Sequence, residues 1–153
     1  MHRLRLILGL LAALLLLAAC DNNGGDTSIS GEKPANAIEI SIIYAPESKD
    51  YMVQFIPAFN EAYRRGTNPV TGQALRSDER PIYVTGVDGS SGTVMQGIVN
   101  AVLTPNSENI ARPTIFQPSV SHWLALANYL ARRELFDLAN SRPTANAPVV
   151  MAI

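Results

Sequence analysis

Apolar and polar residues follow one another along this chain with periodicities that predict strands and helices in turn. Residues 38–44 begin with an apolar residue at every second position and end in a nearly continuous apolar run, which predicts a parallel strand buried on both faces. After a turn at residues 45–48, apolar residues continue at helical spacing: Met52, Phe55, Ile56, Phe59 and Tyr63. Because Pro57 lies within this stripe, we expect a kink there or a helix that restarts with Pro57 in its first turn.

Further segments repeat this alternation. The predicted strands are residues 81–87, 113–117 and 147–153, and the polar or turn-rich loops are residues 66–80, 88–93 and 104–112. The second predicted helix carries an apolar stripe of Val94, Ile98, Ala101 and Val102. The third follows a cap at Ser119 or Ser121 and carries Trp123, Leu126, Ala127 and Leu130 on one face. The order β-α-β-α-β-α-β predicts an α/β fold, with a mostly parallel sheet flanked by helices on both sides.

Three loops, at residues 45–50, 88–93 and 117–121, leave the carboxyl ends of the predicted strands, where ligands bind in open α/β sheets. All three carry hydroxyl groups, and we identify these residues as candidate ligand contacts: Ser48, Ser90, Ser91, Thr93, Ser119 and Ser121. In an alternative interpretation, these hydroxyls only cap the helices that follow. Three such loops on one edge favour a shared pocket, and the helix N-termini there favour polar or anionic ligand oxygens.

The segment 88–93 lacks the residues that three more specific motifs require. A phosphate-binding P-loop needs a Gly-Lys-Ser/Thr ending, and no lysine follows Lys49. A metal-dependent adhesion motif would need serine where Gly92 stands. A hydrolase nucleophile elbow would need glycine where Thr93 stands, and its candidate base would be His122. We therefore expect no enzymatic activity.

Trp123 is the single tryptophan of the chain. Its place on the apolar stripe of the third helix favours a position in the core. The alternative is a position at the border of the ligand cleft, where an aromatic face stacks on ligands.

Residues 1–19 differ in composition from the rest of the chain. They carry Arg3 and Arg5, no acidic residue, and an apolar run too short to span a bilayer comfortably, which predicts a signal peptide. Residues 17–20, Leu-Ala-Ala-Cys, resemble the lipobox of bacterial lipoproteins. The resemblance implies cleavage before Cys20 and acylation of that residue, since several acyl chains anchor a protein durably. A simple secretory signal or an uncleaved anchor, with Cys20 incidental, is the alternative.

Residues 20–37 contain one large apolar residue, Ile29, and are rich in Gly, Asn, Ser and Asp. This composition predicts a flexible tether, because such a segment buries too little apolar area to offset its ordering entropy. Residues 38–153 would then form the extracytoplasmic domain.

Composition excludes several classes of partner and site. Without the two arginines of the leader, 10 basic residues stand against 13 acidic ones, so the net charge is −3 and gives no footprint for nucleic acid. One cysteine allows neither an internal disulfide nor a cysteine-rich zinc site. The two histidines, one of them in the leader, exclude a multi-histidine metal site. We expect no metal and no cofactor.

Taken in order, several segments resemble the extracellular solute-binding proteins of ABC transporters, which have the type II periplasmic-binding-protein fold. They are the lipobox, the tether, the strand at residues 38–44, the pair Phe59-Asn60, the loop at residues 86–94, and residues 113–123 and 141–153. No single segment is diagnostic, and the match covers nearly all of residues 38–153. Its specificity comes from the order.

The resemblance implies two α/β lobes that close on a small polar solute and present it to an ABC permease. By the matching motifs, the six hydroxyl-bearing residues would contact the solute from the first lobe. Residues 38–153 correspond to that first lobe alone, so we expect the second lobe to be missing and the chain to be the front part of a longer protein. The protein would act at the cell membrane, lipid-anchored on the extracytoplasmic face.

Two other functions stay open at this point. In a subgroup of the family, the solute-binding region precedes a von Willebrand A domain, and the protein would then be a surface interaction or adhesion lipoprotein. A hydrolase would depend on Ser91 and His122.

Overall fold

The computed structural model of the protein describes residues 31–104 and 112–144. Its elements are β1 (Ile38–Tyr44), a short 3₁₀ turn (Pro46–Ser48), α1 (Lys49–Arg64), β2 (Ile82–Asp88), α2 (Ser91–Leu103), β3 (Ile115–Gln117) and α3 (His122–Ala131). The lipobox with Cys20 and the predicted strand at residues 147–153 lie outside the described residues, as does most of the predicted loop at 104–112.

The strands form one parallel sheet in the order β2-β1-β3, which confirms the α/β class. Each of the three predicted strands in the described ranges is present. β1 has the predicted bounds, whereas β2 is shifted by one residue and β3 lacks the first two residues of the prediction. The predicted loop at residues 88–93 is wrong in length, because α2 already begins at Ser91.

Helices cover both faces of the sheet at its carboxyl end. On one face, a Cβ added to Gly86 would clash with Ile56 Cδ1 and lie 3.2 Å from the Tyr44 ring, so α1 packs closely over β1 and β2 there. On the other face, a Cβ at Gly89 would lie 2.7 Å from Val94 Cγ2 of α2. Successive residues of a strand point to opposite faces, so these contacts place α1 and α2 on opposite sides.

The prediction that β1 is buried on both faces holds only for its last residue. Tyr44 is fully buried, Ile40–Ile43 are half-buried and Ile38 is 44% exposed. α2 and α3 pack mainly against each other, through Met95, Val99 and Ala127. This arrangement leaves a cavity of about 250 Å³ beside Ile43 and Val87 on the face opposite α1.

The helical stripes are correct in period and displaced in phase. In α1 the buried residues are Met52, Ile56, Asn60 and Tyr63, whereas Phe55 of the predicted stripe is 65% exposed. In α2 they are Ser91, Val94, Met95 and Val99, and in α3 they are Leu124, Ala127 and Ala131. Leu126 and Leu130 are exposed, so their placement on the buried face was wrong. Tertiary contacts set the final rotation of each helix, and periodicity alone does not contain them.

α1 continues through Pro57 without a restart. Proline removes one helical hydrogen bond at a cost of roughly 3 kcal/mol in an isolated helix. Here buried residues lie on both sides of it, with Met52 and Ile56 before and Asn60 and Tyr63 after. We attribute the unbroken helix to packing against the sheet, which offsets this cost.

Candidate functional site

The carboxyl edge of the sheet contains the point at which the strand order changes direction. After β1 the chain passes to β2 on one side, and it then crosses to β3 on the other side of β1. Ligands of open α/β sheets bind at such a switch point, outside the carboxyl ends of the two strands. The residues that follow Tyr44 and Gln117 therefore border the candidate site.

Three polar side chains form the last row of the sheet at this edge. Tyr44 pairs in register with Asp88 of β2 and with Gln117 of β3, so the three residues share one face. That face is the one on which α1 packs, since Lys49 and Tyr51 of its first turn contact members of the row. We refer to Asp88, Tyr44 and Gln117 as the terminal row.

The Gln117 end of the terminal row lies within a cluster of hydroxyl groups. The Gln117 amide nitrogen is 2.9 Å from Ser48 Oγ, 3.0 Å from the Tyr51 hydroxyl and 2.8 Å from Thr144 Oγ1. Tyr51 also donates a hydrogen bond of 2.7 Å to Ser48 Oγ. An amide NH₂ carries two hydrogens, so it bonds at most two of its three neighbours well at any moment.

The Asp88 end of the terminal row is an ion pair. Lys49 Nζ lies 3.0 Å from Asp88 Oδ1, and this hydrogen bond raises the pKa of Lys49. Burial, followed by the charge of Asp88, raises the pKa of Tyr44, which keeps its phenol neutral. The ammonium charge at this end is therefore already balanced by a carboxylate.

Two atoms of the terminal row lack hydrogen-bond partners. Within the described part of the chain, the buried side-chain atoms without a partner are the Tyr44 hydroxyl and Gln117 Oε1. Most buried polar atoms in proteins are paired, and an exception calls for a functional reason or for water. Both exceptions here belong to adjacent positions of the same row.

A second contact joins α2 to the loop after β3. The Ser119 backbone N–H donates to Ser91 Oγ at 3.0 Å, and Ser91 Oγ donates to Ser119 Oγ at 3.3 Å. Ser91 is buried and Ser119 is exposed. These two candidate residues therefore lie together. Gln117, two residues before Ser119, bonds Ser48 and so places the pair near the hydroxyl cluster.

The other three candidate residues are more peripheral. Ser90, Thr93 and Ser121 are exposed, and none makes a side-chain hydrogen bond with another described residue. The capping interpretation is wrong for the serines at the N-cap positions of the three helices, because Ser48, Ser90 and Ser121 make no side-chain cap bond. Ser48 uses its hydroxyl to contact Tyr51 and Gln117 instead.

Trp123 contacts the core and also lies near the carboxyl edge, so its place combines features of both predicted positions. It packs against the core cluster of Met95, Val99 and Ala127. Its ring also covers the first turn of α2, since a Cβ on Gly92 would lie 3.1 Å from Trp123 Cη2. Glycine at position 92 is thus what allows the indole to approach this turn, and Trp123 remains half-buried there.

Ser91 and His122 make no hydrogen bond to each other in the structure, where Ser91 is bonded to Ser119. In the described ranges, no three His, Cys, Asp or Glu side chains gather in a group that could hold a metal ion. The helices of these same ranges include none with the length and apolar character needed to cross a membrane.

Comparison with protein-family models, with curated proteins and with solved structures finds no match to this chain. The geometry of the edge therefore carries the functional argument.

Sequence reasoning found part of this site. It identified Ser48, Ser91 and Ser119, which make the contacts described above, but missed Tyr44, Tyr51, Gln117 and Thr144. The sequence predicts Tyr44 as a strand residue and Gln117 as the residue shared by a strand and the loop at residues 117–121. The importance of both comes from their register, which joins positions distant in sequence. The position of Gln117 as the last residue of a strand at the expected ligand edge was the available signal.

Proposed function

We propose that this chain is a membrane-anchored, extracytoplasmic solute-binding protein whose described part is the first lobe of a periplasmic-binding-protein-like fold. A small polar solute would bind at the carboxyl edge, for delivery to an ABC-type importer. The observation that carries the proposal is the terminal row: two buried, unpartnered polar atoms lie at the carboxyl edge, on the paired last residues of β1 and β3.

The residues around the row have the chemistry that such binding needs. Hydrogen bonds that orient a polar ligand can be donated and accepted by the side chains here: Ser48, Tyr51, Gln117 and the Ser91–Ser119 pair. Trp123 adds an aromatic surface next to the first turn of α2. Binding energy would come from these hydrogen bonds and from closure against a second lobe.

A ligand screen tests the binding function. The full chain is screened by NMR chemical-shift changes against sugars, polyols, amino acids and oxyanions, because binding to one lobe is expected to be weak. Ser48→Ala and Ser91→Ala should each reduce the affinity of a bound compound by about tenfold, the effect of losing one polar contact. Ser77→Ala, in the exposed loop before β2, is the matched control. The absence of any binder, or equal affinity in all three variants, would refute the function.

The anchor is proposed from the sequence and tested separately. A Cys20→Ser variant should lose incorporation of labelled palmitate and should no longer be processed to the mature form. Continued labelling of this variant would exclude lipidation at Cys20.

A further inference from the structure

The hydroxyl of Thr144 contacts the terminal row from an exposed position. Its Oγ1 lies 2.8 Å from Gln117 Nε2 and 3.4 Å from the Tyr51 hydroxyl, although the residue itself is exposed. Ser48 and Tyr51, by contrast, belong to the first turn of α1 and its N-cap. Thr144 thus brings one hydroxyl from the surface into the cluster around the Gln117 amide.

Thr144 satisfies only one end of that amide. Gln117 Nε2 has three hydroxyl oxygens within hydrogen-bond distance, whereas Gln117 Oε1 is buried and has no donor. Because NH₂ has two hydrogens, the nitrogen stays satisfied by Ser48 and Tyr51 when Thr144 leaves. Displacement of Thr144 therefore costs few hydrogen bonds, and a replacement that also donates to Oε1 gains one.

We infer that Thr144 occupies a hydroxyl subsite whose ligand is an uncharged compound with two adjacent hydroxyl groups, and that this ligand displaces Thr144. The inference rests on the proposed function and names its ligand class. One ligand hydroxyl takes the place of Thr144 among the three acceptors that share the two Nε2 hydrogens. The neighbouring hydroxyl donates to Oε1, which a carboxamide presents next to its nitrogen. Gln117 is then the specificity-determining residue.

The electrostatics of the row favour an uncharged ligand over an oxyanion. A fully ionised oxyanion has no hydrogen to donate to Gln117 Oε1. The Lys49 ammonium at the other end of the row is already paired with Asp88 at 3.0 Å. Tyr44 lies between Asp88 and Gln117 in register. Its hydroxyl can either donate to or accept from a further hydroxyl group of a polyol.

The test compares ligands and variants by NMR on the full chain in a polyoxyethylene detergent, which carries no sugar headgroup. The probes are myo-inositol, the isomers 1,2- and 1,3-propanediol, and sodium sulfate against sodium chloride at equal ionic strength. We expect myo-inositol and 1,2-propanediol to shift the Gln117 side-chain amide signals. 1,3-Propanediol and sulfate should leave them in place.

Variants separate displacement from simple contact. Thr144→Val keeps the shape and removes the hydroxyl, so affinity for myo-inositol should rise about fivefold, the value of one competing hydrogen bond. Thr71→Val, at an exposed position in the loop before β2, is the control and should change nothing. Gln117→Met should lower affinity by at least about tenfold while the other backbone amide signals keep their dispersion.

Several outcomes would overturn the inference and leave the proposed function intact. One is weaker or unchanged myo-inositol binding in Thr144→Val, and another is a sulfate response that exceeds the response to both polyols. Failure of myo-inositol to bind either the wild-type chain or Thr144→Val also overturns it. The proposed function fails on different results: no ligand in the wider panel of sugars, polyols, amino acids and oxyanions, or equal affinity in Ser48→Ala, Ser91→Ala and Ser77→Ala.

Discussion

Asn60 should be the polar residue on which the docking of α1 depends most. Its side chain is 3% exposed and bonds both backbone groups of Val84, donating to the carbonyl at 2.8 Å and accepting from the N–H at 2.8 Å. β2 is an edge strand of the described sheet, so its outward backbone groups have no neighbouring strand there. The Asn60 amide takes the place of that strand at one residue.

The expected loss of stability on removal of the Asn60 side chain follows from these two hydrogen bonds. In Asn60→Ala, both groups of Val84 lose their partner, and each unsatisfied buried group costs about 1–3 kcal/mol. Val84 is only half-buried, so water recovers part of this cost and the lower half of the range applies to each bond. We expect the free energy of unfolding to fall by about 3 kcal/mol, which corresponds to a drop in Tm of about 10–20 °C for a domain of this size.

Urea denaturation followed by the fluorescence of the single tryptophan, Trp123, measures this change. Asn100→Ala is the matched control, because Asn100 is exposed on α2 and its side chain bonds only the Gln96 side chain. Its effect should stay within about 0.5 kcal/mol. Hydrogen exchange at the Val84 amide should also accelerate in Asn60→Ala. A loss no larger than that of Asn100→Ala, or an unchanged exchange rate at Val84, would refute the reasoning.

Two further variants probe charge and close packing. Hydrogen bonds from Arg64 and Arg65 lower the pKa of Glu61 from 4.5 to about 2, so Glu61 stabilises the fold above pH 4.5 and this contribution is lost as the pH falls toward 2. Glu61→Gln should therefore flatten the fall in Tm across that window, and an unchanged pH profile would contradict the assignment. Gly86→Ala would place a methyl group against Ile56, Tyr44 and Ile42 and should cost about 1–3 kcal/mol in urea denaturation. Gly31→Ala meets nothing within 4 Å and should be neutral, so equal losses in the two variants would exclude the steric explanation.

The fold class followed from the sequence because strand and helix periodicities differ. The run of isoleucines in β1 and the helical spacing after it needed no tertiary information. The rotation of each helix about its axis, by contrast, depends on tertiary contacts. Phe55 shows why: its position fits the apolar spacing, yet the sheet contacts the face that carries Met52 and Ile56. Asn60, a polar residue, lies on this buried face because an edge strand needs its amide.

The site was only partly predictable for a related reason. Hydroxyl-rich loops at strand ends are visible in a sequence, and they led to Ser48, Ser91 and Ser119. The terminal row depends on the register of three strands, which juxtaposes Tyr44 with Asp88 and Gln117. Thr144 lies after α3 and before the strand predicted at residues 147–153, so nothing in its local sequence points to Gln117.

The contacts of α1 differ in strength along the helix, and this difference bears on how the edge can admit a ligand. Near its middle, Asn60 holds β2 through two buried hydrogen bonds. At its start, the Lys49–Asp88 pair is partly exposed, and exposed ion pairs contribute little to stability. Gln117 exchanges among three hydroxyl neighbours at the same end. Polar contacts at the carboxyl edge can therefore rearrange at low cost while Asn60 keeps the helix docked on the sheet.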